Sequence, residues 1–575
     1  MLRPLAALLL MAAALAPAAD ADWASFHADA RGTGYIPNSS YPVYQDVWWN
    51  NRTLANAQVQ SSPVIKDGIL VTADLGSATS TPANGGLVRA LDVESGHQIW
   101  SYRMPAPIYG TPAIAGERVY VVDSQGNLKA FNLRDGRVED SAASAVGATR
   151  SSIREHEGKL FIGTEAGEMK AYLASSLTLL WTYTMSTTYT VFVSGGTTGP
   201  GACQTPLAPG AIRGAAAVVD GKVIFGSFNH YVIAVDENGN GQTTAAQWFY
   251  KVGDIVVGAP SVILGNPNHV VVGSYDGSVY NFVTSGPTPT TCPSGTGSVP
   301  ATNNPTWKYQ VPSVVDATTG ETQVSKVASS PANSGSRVFV GANNGHVYGL
   351  NAATGAKVWE QSATGTSIKP VTGSPAVANG IVVIGSEDTK MYWLSAANGS
   401  ILKTFQTKAS ISSSPAIDGD RVIVSATDGT TYMFGPKVPP RADLTATVAS
   451  ATALSVVVLV KNIGTEPAAA GMVRIFLDEG FLVDLPVGAL AAGQSQTVTH
   501  TPAATIAPGK HIVKASADWT NTMQEANEGN NDSPPLEIQA TVPETTSTTK
   551  KGPAAGIMFA GLLLVCAAMG RRWAT

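Results

Sequence analysis

The chain has 575 residues and a formal net charge of −5, with 13% charged and 44% hydrophobic. That length allows several domains with a substantial core, and so low a charge excludes a disordered protein or a long charged helix. An acidic balance without basic runs excludes nucleic acid as a partner, because such binding needs Lys and Arg to displace phosphate counterions. The 58 glycines and 35 prolines are spread along a Val-rich chain, a composition of many short strands joined by turns: an all-β protein.

Residues 1–21 read as a secretory signal peptide. Arg3 supplies the positive start, 5–15 the apolar stretch, and Ala19-Asp20-Ala21 a small-x-small cleavage site before Asp22. Pro17 and Asp20 leave too short an apolar run for a spanning anchor, which needs about 20 residues. No Cys lies near the cleavage point to carry a lipid.

Beyond it, one unit repeats at roughly 40 to 70 residues, the period of propeller blades. It opens on a small-residue pair and Pro, as at Ser62-Pro63, Thr111-Pro112, Ala259-Pro260, Ser330-Pro331, Ser374-Pro375 and Ser414-Pro415. An Asp-Gly or Asn-Gly turn follows, then an apolar run, a second Gly turn, a third strand and a Trp strand. GLVRALDVESGHQIW (86–100) and GHVYGLNAATGAKVW (345–359) share the spacing of the third and fourth strands, and GEMKAYLASSLTLLW (167–181) keeps it without the turn Gly. Two degenerate copies, near Ser151-Ser152 and at 215–219, bring the expected number to eight. A four-stranded sheet cannot bury both faces alone, so such units stack radially. The eighth unit, 411–437, stops after three strands, and an unmatched Trp48-Trp49 precedes the first. The segment 47–53 is therefore expected to supply the missing outer strand, closing the ring and removing an exposed edge.

These units resemble the quinoprotein-type, or PQQ-like repeat, eight-bladed β-propeller family over about 23–437. The likeness rests on the SSP opening, the Ala-Leu-Asp-x-x-x-Gly third strand and the Trp after it; DWASFHADARGTGY (22–35) is similar to the segment preceding the family's first blade. The resemblance implies fold more than activity, because the family holds quinone-dependent dehydrogenases as well as non-catalytic scaffolds such as the outer-membrane assembly lipoprotein.

From Arg441 to about Ala540 the blade motif stops. Alternating runs with a turn every ten or so residues predict a small β-sandwich. LVKNIGTEPA, LAAGQSQTV and DWTNTMQEANEGNN resemble the CARDB family of extracellular Ig-like modules, which act as spacers or adhesion elements. Residues 541–553 form a Thr-rich stalk. The uncharged stretch 554–570 is at the short limit for a transmembrane helix, and Arg571 and Arg572 place the basic end 571–575 in the cytoplasm. Two readings of this tail stay open: a membrane anchor, or a sorting tail that is cut and replaced. Glycosylation-type triplets begin at Asn38, Asn51, Asn398 and Asn531, in keeping with export.

The dehydrogenase branch of the resembled family holds its quinone between a Trp and a disulfide of adjacent cysteines, with Ca2+ on Glu, Asn and Asp. Cys203, Cys292 and Cys566 are not adjacent, and no CxxCH haem attachment exists. The His residues, His97, His156, His230, His269 and His346 among them, show no zinc spacing. No catalytic or cofactor-binding residue is assigned. Asp236, Asn238 and Asn240 match the start of a Ca2+ loop, but Gln247 stands where a bidentate Glu closes one, and the segment also fits an ordinary turn. Glu525, Asn527, Glu528, Asn530 and Asn531 offer the same choice at the sandwich end. Two Thr-, Gly- and Pro-rich insertions, 186–210 and 285–304, hold Cys203 and Cys292. An exported chain favours a disulfide between them, whereas their connections leave a propeller on opposite faces; that balance is even. No cofactor is expected, with Ca2+ left open.

The function expected is that of a non-catalytic extracytoplasmic binding scaffold at the cell surface, meeting protein or glycan ligands at a propeller face or the insertions and the membrane through its C-terminal helix. The alternative is a PQQ-dependent dehydrogenase of alcohols or sugars.

Overall fold

The computed structural model describes residues 23–540 except 37–46, 53–57, 77–84, 186–207, 240–245, 292–297, 364–368, 436–441, 519–530 and some shorter stretches. The expected signal peptide, stalk, C-terminal helix and basic end lie outside the described residues, as do Asn240, Cys203 and Cys292. Among the described residues there is no helix long and apolar enough to cross a membrane. Two units divide the chain, one up to Arg441 and one from Ala442.

The first unit is built on eight antiparallel four-stranded blades, two of which carry an added parallel fifth strand. Blade 6 shows the plan: Ala332–Asn333, Arg337–Gly341, His346–Asn351 and Lys357–Ser362 pair in sequence from the channel outward. The innermost strands of blades 1 to 8 are Val64–Lys66, Ala113–Ala115, Arg154–His156, Ala217–Val219, Ser261–Val262, Ala332–Asn333, Ala376–Ala378 and Ala416–Asp418. In the eighth, Val47–Arg52 pairs antiparallel with Thr430–Phe434 as the outermost strand. Ala301–Thr302, from the second insertion, adds a parallel fifth strand to the outer edge of blade 4. Second and third strands are buried on both faces, as Arg421–Ser425 and Thr430–Phe434 show, because the next blade covers each side.

Two repeated devices join the blades. Two residues before each inner strand stands the Ser or Thr of the opening motif, and its N–H donates to the equivalent hydroxyl one blade on. Ser62 donates to Thr111, Thr111 to Ser152, Ser330 to Ser374, Ser374 to Ser414, and Ser414 back to Ser62, at 2.9–3.1 Å. Ala259 donates to Ser330 at 2.7 Å, but Ala215 and Ala259 themselves offer no hydroxyl. The second device is the outer-strand Trp, whose indole N–H donates to the carbonyl just past the third strand of the following blade. Trp100 reaches Leu133, Trp181 Glu237, Trp248 Thr284, Trp307 Ala352 and Trp359 Ala396, at 2.7–3.0 Å. The ring lies on the turn glycine of that blade, so a Cβ on Gly136, Gly355 or Gly399 would come within 2.5 Å of it.

The segment before the blades runs around the inside of the ring. The carbonyls of Trp23, Ala24, Ala30, Arg31, Thr33 and Gly34 accept from the inner-strand amides of Ile65, Ile114, Val218, Val262, Asn333 and Val377, at 2.7–3.0 Å. At blade 3 the wholly buried Arg154 side chain takes over, donating to Ser25 Oγ and Phe26 O at 2.8 Å each and to the Asp29 carbonyl. Tyr35–Ile36 then pairs parallel with Val377–Ala378 of blade 7.

The second unit is a sandwich. Leu444–Thr452, Ser455–Asn462 and Ser495–His500 form one sheet; Gly480–Val487, Gly471–Leu477, Gly509–Ala517 and Leu536–Ala540 form the other. Val456, Val458, Val460, Val473, Ile475 and Val513 alternate into its core.

Candidate functional site

The loops entering the inner strands and the turns between second and third strands meet at one mouth of the channel. Two columns of residues line it: one two positions before the opening Ser/Thr/Ala, the other just past the second strand. Tyr109, Arg150 and Arg213 stand in the first; Glu165, Phe228, Tyr275 and Glu387 stand in the second.

Blades 2 to 4 make the densest part. Arg213 grips Glu165 with both arms of its fork, Nε to Oε1 at 2.9 Å and Nη2 to Oε2 at 2.8 Å. Its guanidinium carbon lies 4.5 Å from the centre of the Phe228 ring. Arg150 lies 4.4 Å over the Tyr109 ring, its Nε 4.0 Å from the same Glu165. Across the mouth, Lys326 Nζ sits 5.2 Å from the Tyr275 ring centre, and Thr372 donates to Glu387 at 3.0 Å. Burial pushes the Tyr275 phenol up, opposed by Arg213 and reinforced by Asp254 and Glu387. The hydroxyl stays protonated and available to donate. The Asn343 side-chain oxygen, also at this rim, is buried without a hydrogen-bond partner. The mouth is therefore a half-exposed cup of planar cations on aromatic faces with hydroxyl and amide groups beside them. Such a surface recognises carboxylates and aromatic or polar side chains.

None of these residues was singled out in the sequence. The signal was present: lining the units up on their opening motif puts Tyr109, Arg150 and Arg213 in one column. The Ca2+ candidate falls elsewhere, past the third strand of blade 4. Asp236 accepts the Asn238 N–H at 2.8 Å, an ordinary Asx turn. Lys159 of blade 3 donates to Asn238 Oδ1 at 2.7 Å and to the buried Glu237 carboxylate at 3.1 Å. His156, Glu157 and Glu237 there bring ligand-type atoms within 4.8 Å of one another, with the Lys159 ammonium already on Glu237.

Fold and mouth define a class: a rigid β-propeller with polar loops gathered over one end of its channel. The chain belongs to the PQQ-like repeat family described as outer membrane protein assembly factor BamB, which matches residues 45–280 and 343–437. A CARDB module matches 441–534. Among solved structures, a quinohemoprotein alcohol dehydrogenase from Comamonas testosteroni is similar at 14% identity, over 75% of this chain and 83% of that one, with a TM-score of 0.54. A second such dehydrogenase, from Pseudomonas putida HK5, has the same identity and coverage and a TM-score of 0.51. BamB from Moraxella catarrhalis is 17% identical over 68% of this chain and 99% of that one, at a TM-score of 0.46. These likenesses concern the fold. No curated protein sequence matches the chain.

Proposed function

We propose that this chain is a non-catalytic extracytoplasmic scaffold, held at the cell surface by its C-terminal segment, whose propeller mouth binds a protein. The observation that carries the reading is the state of the mouth's carboxylates. Glu165 is held in the Arg213 fork and Glu387 takes the Thr372 hydroxyl. The quinone and Ca2+ of a dehydrogenase need free carboxylate and amide oxygens converging on one point, and Glu165 and Glu387, engaged as they are, do not supply them. What the cup offers instead, Arg on Tyr and Phe with a protonated Tyr beside them, is the residue mixture that dominates protein interfaces. Membership of the BamB-described family agrees with a protein-binding role outside the cytoplasm.

The test pairs an experiment on intact cells with one on the purified chain. A photo-crosslinking residue at Ser124, just past the second strand of blade 2, should capture a defined protein on intact cells, and Arg150→Glu with Arg213→Glu should abolish the adduct. Capture of a glycan in its place would move the ligand class. Calorimetric titration with pyrroloquinoline quinone, with and without Ca2+, should give no heat; Ca2+-dependent binding would overturn the scaffold reading in favour of an alcohol or sugar dehydrogenase.

A further inference from the structure

The inner strand of every blade has one edge paired to its neighbour and one edge facing the channel. A buried amide on such an edge must find an acceptor. Residues 23–36 supply one blade after another in chain order: Trp23 to blade 1, Ala24 to blade 2, Ala30 to blade 4, Arg31 to blade 5, Thr33 to blade 6 and Gly34 to blade 7. Blade 3 reverses the roles, its Arg154 reaching inward to the carbonyls of Phe26 and Asp29. The contacts are almost all to main-chain oxygens, so what the ring reads is the path of a backbone.

Two glycines make that path passable. Gly32 and Gly34 have φ of 63° and 62°; a Cβ on Gly32 would lie 2.7 Å from the Pro260 carbonyl oxygen, and one on Gly34 2.8 Å from the Ala332 Cβ. The segment also carries its own fold: Gly34 N–H bonds His27 O at 3.1 Å, and the Asp29 carboxylate accepts both the amide and the hydroxyl of Thr33. Small loop, circular track and chain-order docking together describe a ligand in a site.

We propose that the inner edge of the ring is a peptide-binding site for a looped, glycine-containing segment, and that residues 23–36 are its resident ligand, exchangeable with the same peptide supplied from outside. This is independent of the mouth. The track runs on the inner strands, as at Val218 of Ala217–Val219, whereas Arg213 stands in the loop that enters that strand.

The experiment uses the full chain with a protease site placed between Asn38 and Ser39. After cutting, a fluorescent synthetic peptide of residues 22–38 is added in excess, followed by gel filtration and circular dichroism. The expected result is a folded ring that takes up one labelled peptide per cut chain. Unlabelled peptide should compete, the Gly32→Ala/Gly34→Ala peptide should not, and the uncut chain should take up none. The proposal is overturned if the cut chain loses its fold, since the segment would then be an inseparable part of the ring. It is equally overturned if the cut, folded chain takes up no peptide, if the double-alanine peptide enters as well as the native one, or if the uncut chain binds as much.

Discussion

The amide of Ser414 donates to the hydroxyl of Ser62 at 2.9 Å across 352 residues of sequence. Both side chains are buried, and this bond joins the last blade to the first by the same device used between neighbours in sequence. Ser62→Ala leaves the Ser414 amide unsatisfied in a dry site, which costs about 1–3 kcal/mol. Urea unfolding of the propeller should show that loss. An unchanged midpoint would mean the closure depends on the outer strand Val47–Arg52 instead.

Gly399 should tolerate no side chain. Its φ is +75°, and a Cβ would meet the Trp359 ring at 2.5 Å. Gly399→Ala therefore combines a strained backbone with displacement of the indole from the Ala396 carbonyl, for a loss of about 2–4 kcal/mol. Gly380, also at positive φ (+74°) but with open space around it, separates the two causes: Gly380→Ala should cost only about 1 kcal/mol. Equal losses at the two positions would remove the Trp contact from the explanation.

Acid should attack the inner segment. His27 is 1% exposed, and burial holds its imidazole down at about 3, aided by the Arg154 charge and opposed by the Gly32 carbonyl. The folded chain keeps it neutral while the unfolded chain protonates it below about 6.5. Stability is thus fully present above that value and falls as pH drops from about 6.5 toward 3, by an amount on the order of several kcal/mol. His27→Gln should flatten this loss in urea titrations at pH 7.5 and 5. A wild-type midpoint that does not move between those two values would contradict the buried neutral state.

Lys159 is expected to act as the resident cation of the blade 3–4 junction. Lys159→Met strands the Glu237 carboxylate, whose side chain is 6% exposed, and should cost about 1–3 kcal/mol. The same change frees oxygens of Glu237 and Asn238, so millimolar Ca2+ should raise the melting midpoint of the variant and leave the wild type unmoved. A Ca2+-dependent rise in the wild type would favour the Ca2+ loop suggested by Asp236 and Asn238.

The blades were legible because their constraints are local and repeated. Each opening Ser or Thr is needed for the same bond, and each turn Gly beside a Trp is needed for the same approach, so the pattern recurs in the letters. The missing fourth strand of the last unit could be matched to 47–53 by subtraction, and Val47–Arg52 pairs there. The sandwich was readable from alternation alone. The mouth was not, because Arg150, Arg213 and Glu165 stand in columns where most blades carry other residues, and they converge only when the ring curves. Arg154 was hidden for another reason: it stands one place before the strand position whose main-chain amide serves in the other blades, and nothing in its neighbourhood marks a charge that will be wholly buried.

The inner segment also sets an order of events in time. Its residues precede every blade, yet their partners run from Ile65 in the first blade to Val377 in the seventh. A chain made from its N-terminal end delivers this segment first and can seat all of it only once the seventh blade has formed. Until then the Gly34 carbonyl and the edge of the last blade formed lack their partners, so early blades wait in a half-finished arc that is open to pairing with the wrong neighbour. Folding of the ring is thus paced by the arrival of its final third, and a chain truncated before Ala376 should leave Gly34 and Tyr35–Ile36 without their partners.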